Sequence, residues 1–279
     1  MIRVKFHQNF EADEQIYYKV LSMSPNNKNI WKNIKVVSDD DYDIFVILNC
    51  PTHQNYDRSR TIVFNCETKS TRDNLSTFYK GIESEFLYIH DTENHFNVDL
   101  WYHGLTFDQL NNEEMFQKNK NFSVINSNLN NLSGHIIRNN FIKYMCDRIE
   151  YDLFGRFPTN DKNYKGRLVN KYDGLIGYKY TFNHENDIEN NYFTEKLLDG
   201  IFCECLTFYG GCPNIEKFIN PNSFIKLNLE NFEESFNVIR DVISNDLWKD
   251  YVKDIKEEKR RIMVDYNILN IVSNILEKI

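Results

Sequence analysis

Tyr178-Lys-Tyr-Thr-Phe182 reads as a strand; Leu197, Leu198, Ile201 and Phe202 then make a helical stripe, and Leu206-Thr-Phe-Tyr209 stops at Gly210-Gly211. Strand, helix and strand in that order make a βαβ unit, which requires parallel pairing. The pattern continues outward on both sides. Downstream, Ser223-Phe-Ile-Lys-Leu227 is a further strand, and Asn231 with Glu234 resembles a capping box opening a helix carried by Phe232, Phe236, Ile239 and Ile243. Upstream, Phe122-Ser-Val-Ile125 reads as a strand. Ile137, Phe141, Met145 and Ile149 recur every four residues as one helical face, and Tyr151-Asp-Leu-Phe154 is a strand ended by Gly155. A polar stretch from Asn111 to Asn121 is the best linker. Before it, the continuous apolar runs Ile44-Phe-Val-Ile-Leu48 and Thr61-Ile-Val-Phe64 suit buried parallel strands. Leu247 to Ile279 reads as a long closing helical segment. Strands alternating with helices predict an α/β chain, one large domain or two; divided at the linker, the two would be residues 1–117 and 118–279.

Composition narrows the function. A net charge of −8 argues against nucleic acid as a partner, because phosphate neutralisation needs clustered Lys and Arg. The six cysteines form no CxxC pair and no zinc-finger spacing; Cys203 and Cys205 read as buried free thiols, and a reducing compartment is the expectation. Met-Ile-Arg-Val-Lys-Phe at the start reads as a strand and not as a signal peptide, and no segment approaches the ~20 apolar residues of a membrane span. The expectation is a cytoplasmic chain without a membrane span.

In parallel α/β sheets ligands sit beyond the carboxyl ends of the strands. Three such loops stand out: Ser127 to Gly134, Asn183 to Tyr192, and Gly210-Gly-Cys-Pro213. The second leads to Thr194-Glu-Lys196. Thr194 is a good N-cap, which puts Glu195 and Lys196 in the first helical turn. Glu195 suits that end of the macrodipole and Lys196 opposes it. Lys196 therefore reads either as part of an anion site, where free amides, dipole and ammonium converge on a phosphate, or as a solvated surface residue.

Four ordered blocks carry a family resemblance: Tyr178 to Asp187, Asn191-Tyr-Phe-Thr-Glu-Lys-Leu-Leu-Asp199, Leu206 to Pro213, and Asn220-Pro-Asn-Ser-Phe-Ile225. Together they resemble the signature of the α-1,3/4-fucosyltransferases, glycosyltransferase family 10. Phe122 to Ser127, Ile137-Arg-Asn-Asn-Phe141 and Asp152-Leu-Phe-Gly-Arg156 look like the family's upstream segments. The resemblance spans roughly Asn121 to Tyr251. It implies a GT-B fold, two Rossmann-like domains with the cleft between them. The reaction it implies is inverting transfer of a sugar, most readily L-fucose from GDP-fucose, to a hydroxyl of a glycan acceptor. Arg138 and Lys196 would hold the donor pyrophosphate, and Asn186, Tyr192 and Glu195 would line the sugar and ribose region. Ser127, His184 and Glu185 would border the donor site. The nucleotide sugar is a cosubstrate, and no metal or other cofactor is implied, since two protein cations can stabilise the departing diphosphate.

Inverting transfer needs a general base. Glu67, in Ile62-Val-Phe-Asn-Cys-Glu67, stands where the family has its base, although Thr68-Lys-Ser70 replaces the usual Ser-Pro. An ordinary loop carboxylate is the other reading of Glu67. His184 stands where the family usually has Phe, Asp187 where it has Ser, and Gly211-Cys212 alters the loop before Pro213, so a UDP-hexose donor stays open. Asp39-Asp-Asp-Tyr-Asp43 suggests a metal-dependent GT-A alternative, but it precedes the Ile44 strand and reads as an acidic turn. A glycan- or nucleotide-binding protein that keeps the fold without activity is the alternative from another class.

Overall fold

The computed structural model describes residues 1–68, 78–93, 95–156 and 160–279. The chain divides into two compact units. One holds residues 1–101, 105–111 and 262–279, the other residues 102–104 and 112–261.

The first unit is built on a six-stranded sheet in the order β2-β3-β1-β4-β5-β6. Its strands are β1 (Ile2–Gln8), β2 (Ile30–Trp31), β3 (Ile34–Val36), β4 (Ile44–Leu48), β5 (Thr61–Phe64) and β6 (Tyr88–His90). All neighbours are parallel except β2 and β3. β4 and β5 occupy the two runs read from the sequence and are buried throughout, as unbroken apolar strands in a covered parallel sheet must be. Helix α1 (Asp13–Ser22) buries Ile16 and Val20 against it. The Asp39–Asp43 run is an acidic turn neutralised by β1. Arg3 Nη2 lies 2.9 Å from Asp39, Lys5 Nζ lies 2.7 Å from Asp40, and the Arg3 amide donates to Asp43 Oδ2 at 2.8 Å.

The second unit repeats the plan in the order β12-β11-β10-β7-β8-β9. Its strands are β7 (Lys120–Ile125), β8 (Asp152–Phe154), β9 (Tyr164–Gly166), β10 (Tyr178–His184), β11 (Leu206–Gly210) and β12 (Phe224–Lys226), and all pairs are parallel. Phe182 faces Val124 on one side and Phe208 on the other, so the sheet centre is aromatic and dry. Helices α2 (Ser133–Met145), α3 (Glu195–Phe202) and α4 (Phe232–Ser244) follow β7, β10 and β12. Asn231 caps α4 through the Glu234 amide at 3.2 Å. From β7 the chain runs outward to β8 and β9, then returns to place β10 on the other flank of β7. The strand order therefore reverses between β7 and β10, and the crevice at their carboxyl ends is the switch point where doubly wound sheets bind ligands.

The closing segment is two helices, α5 (Trp248–Asp265) and α6 (Ile268–Leu276), not one. Asn267 makes the break. Its side chain accepts from the Leu269 amide at 3.0 Å as an N-cap, and its Nδ2 donates to Met23 O at 2.8 Å. The division between units falls within α5, and residues 262–279 pack in the first unit. The expected limits, 1–117 and 118–279, differ on this point. The reason is the apolar surface of α6, whose Ile268, Leu269, Val272 and Ile275 are buried while Ser273 Oγ donates to Asn33 Oδ1 at 2.6 Å. Among the described residues, no helix is long and apolar enough to cross a membrane.

Candidate active site

The switch point of the second unit is laced by one side chain. Arg138, on α2 and 4% exposed, donates from Nε to Asn126 Oδ1 at 2.9 Å, just beyond β7. Its Nη1 donates to His184 O at 2.6 Å and to Asn186 Oδ1 at 3.3 Å, at the end of β10. One guanidinium thus spans the crevice, while Nη2 makes no hydrogen bond among the described residues. Burial lowers the Arg138 pKa, and the charges of Glu185 and Glu195 offset this. The start of α2 is pressed onto the same loop. The Gly134 amide donates to Asn186 O at 3.1 Å, and a Cβ at Gly134 would fall 2.2 Å from Glu185 O.

Helix α3 is fixed by a buried carboxylate. Glu185 is fully buried, and its Oε1 accepts from the Thr194 amide at 2.9 Å and from Tyr209 OH at 3.2 Å. Its Oε2 accepts from Thr194 Oγ1 at 2.7 Å and stands 3.6 Å from Lys196 Nζ. Thr194 in turn caps α3 through the Lys196 amide, at 3.4 Å. Glu195 Oε1 meets two ammonium groups, Lys196 at 3.4 Å and Lys171 at 3.6 Å. Burial pushes its carboxyl pKa up, but Lys196 and Lys171 outweigh that and bring it down to about 2. Asp199, one turn on, has its pKa raised to about 6 by burial, against the pull of Lys171.

The glycines at the end of β11 make room for this cluster. A Cβ at Gly210 would meet the His184 ring at 2.5 Å, and one at Gly211, where φ is +144°, would meet Glu185 Cγ at 2.5 Å. His184 is 2% exposed, and its Nδ1–H donates to Glu185 O at 2.7 Å. Burial lowers its pKa to about 4, so the ring is neutral. Cys212 is buried too, its thiol raised to about 11 by burial. Asn191 and Asn214 exchange hydrogen bonds at 2.8 Å and clamp the two loops together.

Of the residues expected at the donor site, Arg138, Asn186, Tyr192, Glu195, Lys196, His184 and Glu185 are brought together in this one cluster. Arg138 bonds to Asn186, feels the charges of Glu185 and Glu195 and lies near the Tyr192 phenol, and Glu185 binds the α3 cap. Ser127 is half-buried on the loop after β7. Glu67 stands in the first unit, half-buried just past the carboxyl end of β5, its amide donating to Asn65 Oδ1 at 3.3 Å. Lys69 and Ser70 of its motif lie outside the described residues. Sequence reasoning missed Asn126, Gly134, Lys171 and Asp199. A lone acid inside Leu197-Leu-Asp-Gly-Ile-Phe202 was the available signal for Asp199. Nothing local marks Lys171. Beside Asn126 opens a cavity of about 480 Å³ whose lining includes Asn126, Asn139, Lys143, Phe154 and Tyr164. A larger one, about 870 Å³, sits at the opposite edge of the sheet, where Asp152 is already bonded to Tyr178 OH and Asp147 to Lys162.

Two doubly wound units, each with a largely parallel sheet, are the GT-B architecture of glycosyltransferases. Solved structures agree. A crystal structure of an α1,3-fucosyltransferase superposes with TM-score 0.55 at 19% identity, covering 92% of this chain and 80% of that one. The DNA-modifying β-glucosyltransferase superposes with TM-score 0.52 at 11% identity, covering 97% and 98%. Residues 115–252 match the profile of the glycosyltransferase family 10 (fucosyltransferase) C-terminal region, and through this segment the chain belongs to that family. The α-(1,3)-fucosyltransferase FucT of Helicobacter pylori is 35% identical over 74 residues, 26% of this chain, and the chain spans only 16% of that relative.

Proposed function

We propose that the chain is an inverting glycosyltransferase that moves L-fucose from GDP-fucose to a hydroxyl of a glycan acceptor. The observation that carries this reading is Arg138 spanning the β7/β10 switch point, with Lys196 at the start of the adjacent helix. Two cations, one a fork and one a point charge, at a helix N-terminus suit a diphosphate. The nucleoside would occupy the cavity beside Asn126, and Asn186, Tyr192 and Glu195 would line the sugar and ribose. As the sugar C1–O bond breaks, negative charge grows on the diphosphate, and Arg138 and Lys196 stabilise it without a required metal. The acceptor oxygen attacks C1 from the opposite face, and Glu67 takes its proton.

The test is a thermal-shift screen of the full chain against GDP, UDP, CDP, dTDP and GDP-fucose. A ligand that binds only the folded state at ~100 times its Kd adds about 2.7 kcal/mol of stability. GDP and GDP-fucose should raise Tm. A response to UDP and none to GDP would refute the fucose assignment, and transfer abolished by EDTA would refute the metal-independent one.

A further inference from the structure

Lys171 opens the 3-10 turn Lys171–Gly174, which precedes β10 and is seated firmly on the sheet. Ser123 Oγ of β7 donates to Gly174 O at 2.7 Å, and a Cβ at Gly174 would approach Leu168 to 2.7 Å and Ile125 to 3.1 Å. From this turn the Lys171 ammonium reaches α3, lying 2.7 Å from Asp199 Oδ2 and 3.6 Å from Glu195 Oε1. Glu195 and Asp199 are four apart and share one helix face. Asp199 is 1% exposed, and among the described residues Lys171 is the one cation within ion-pair distance of it.

The charge balance around Lys196 gives this contact a purpose. Lys196 has two carboxylates near it, Glu195 at 3.4 Å and Glu185 at 3.6 Å. If both were satisfied by that single ammonium, little positive charge would remain for a bound diphosphate. Lys171 approaches the same Glu195 oxygen, Oε1, at 3.6 Å and shares its charge. We propose that Lys171 is a positioning residue of the donor site: tethered to Asp199, it holds the Glu195 carboxylate and leaves the Lys196 ammonium to the donor diphosphate. The inference rests on the donor-site reading above.

GDP titration calorimetry on the full chain tests it. Lys171→Met should weaken GDP binding about tenfold, the scale of one charge-assisted contact, and Lys171→Arg should stay within about threefold of the unaltered chain. Because Lys171→Met leaves Asp199 buried and unpaired, Lys171→Met/Asp199→Asn serves as the folding control. It should recover Tm while GDP binding stays weak. Recovery of both would make Lys171 merely the counter-ion of Asp199 and overturn the proposal. In a double-mutant cycle, the losses from Lys171→Met and Glu195→Gln should not add; additive losses would overturn it too. GDP affinity unchanged in Lys171→Met refutes this inference alone, whereas an unaltered chain that binds no nucleoside diphosphate refutes the donor-site reading and this inference with it.

Discussion

Glu185 is the residue whose loss the structure makes most costly. It is fully buried, and three donors converge on its carboxylate: the Thr194 amide at 2.9 Å, Thr194 Oγ1 at 2.7 Å and Tyr209 OH at 3.2 Å. Glu185→Ala leaves those donors unpaired in an interior. Hydrogen bonds to a charged group are worth about 1.5–3 kcal/mol each, but they share one site and do not add, so a loss of about 4 kcal/mol, typical of a broken buried ionic network, is the expectation. At about 2–4 °C per kcal/mol for a domain of this size, Tm should fall by about 8–16 °C. Glu185→Gln keeps the shape and one acceptor oxygen, so it should lose less than half as much. Scanning calorimetry of the three chains under one buffer measures this. A Glu185→Ala chain melting within about 2 °C of the unaltered one would refute the view that this carboxylate anchors α3.

Gly134→Ala should be destabilising by about 2–3 kcal/mol in urea titrations, the upper range for overpacking, because the new methyl meets the rigid Glu185 carbonyl and not a yielding side chain. Stability should also fall in mild acid. Burial lowers the His90 and His184 pKa values to about 4 and that of His103 to about 3, from an ordinary value of 6.5. Below pH 6.5 the unfolded chain takes up protons that the folded chain refuses, so each ring costs up to about 1.4 kcal/mol per pH unit until its folded pKa is reached. His184→Phe should reduce the slope of urea-unfolding free energy between pH 6.5 and 4.5 by about one proton, and an unchanged slope would show that His184 titrates normally.

Much of this protein was legible in its local chemistry. The unbroken apolar runs at Ile44–Leu48 and Thr61–Phe64 are strands because a parallel sheet covered on both faces takes no alternation. Thr194 and Asn231 cap their helices because a side-chain oxygen in that position meets a free amide whatever the rest of the chain does. The ordered motifs around Lys196 and Arg138 marked the residues that cluster at the switch point. Tertiary structure alone decided what those residues do to one another. Arg138 reads as one cation on a helical stretch, and only the return of β10 beside β7 brings Asn126 and His184 within reach of its guanidinium. Glu185 reads as a loop residue bordering the donor site, yet the packing of Tyr209 and Thr194 around it makes it an interior bolt. The closing segment reads as one helical segment; Asn267 breaks it by capping the Leu269 amide, and a distant partner, Met23 O, holds that side chain in place. Lys171 meets Asp199 and Glu195 across a stretch of chain that contains all of β10. Periodicity and capping act over a few residues and can be read from them, whereas pairing between separate elements depends on how the sheet orders its strands.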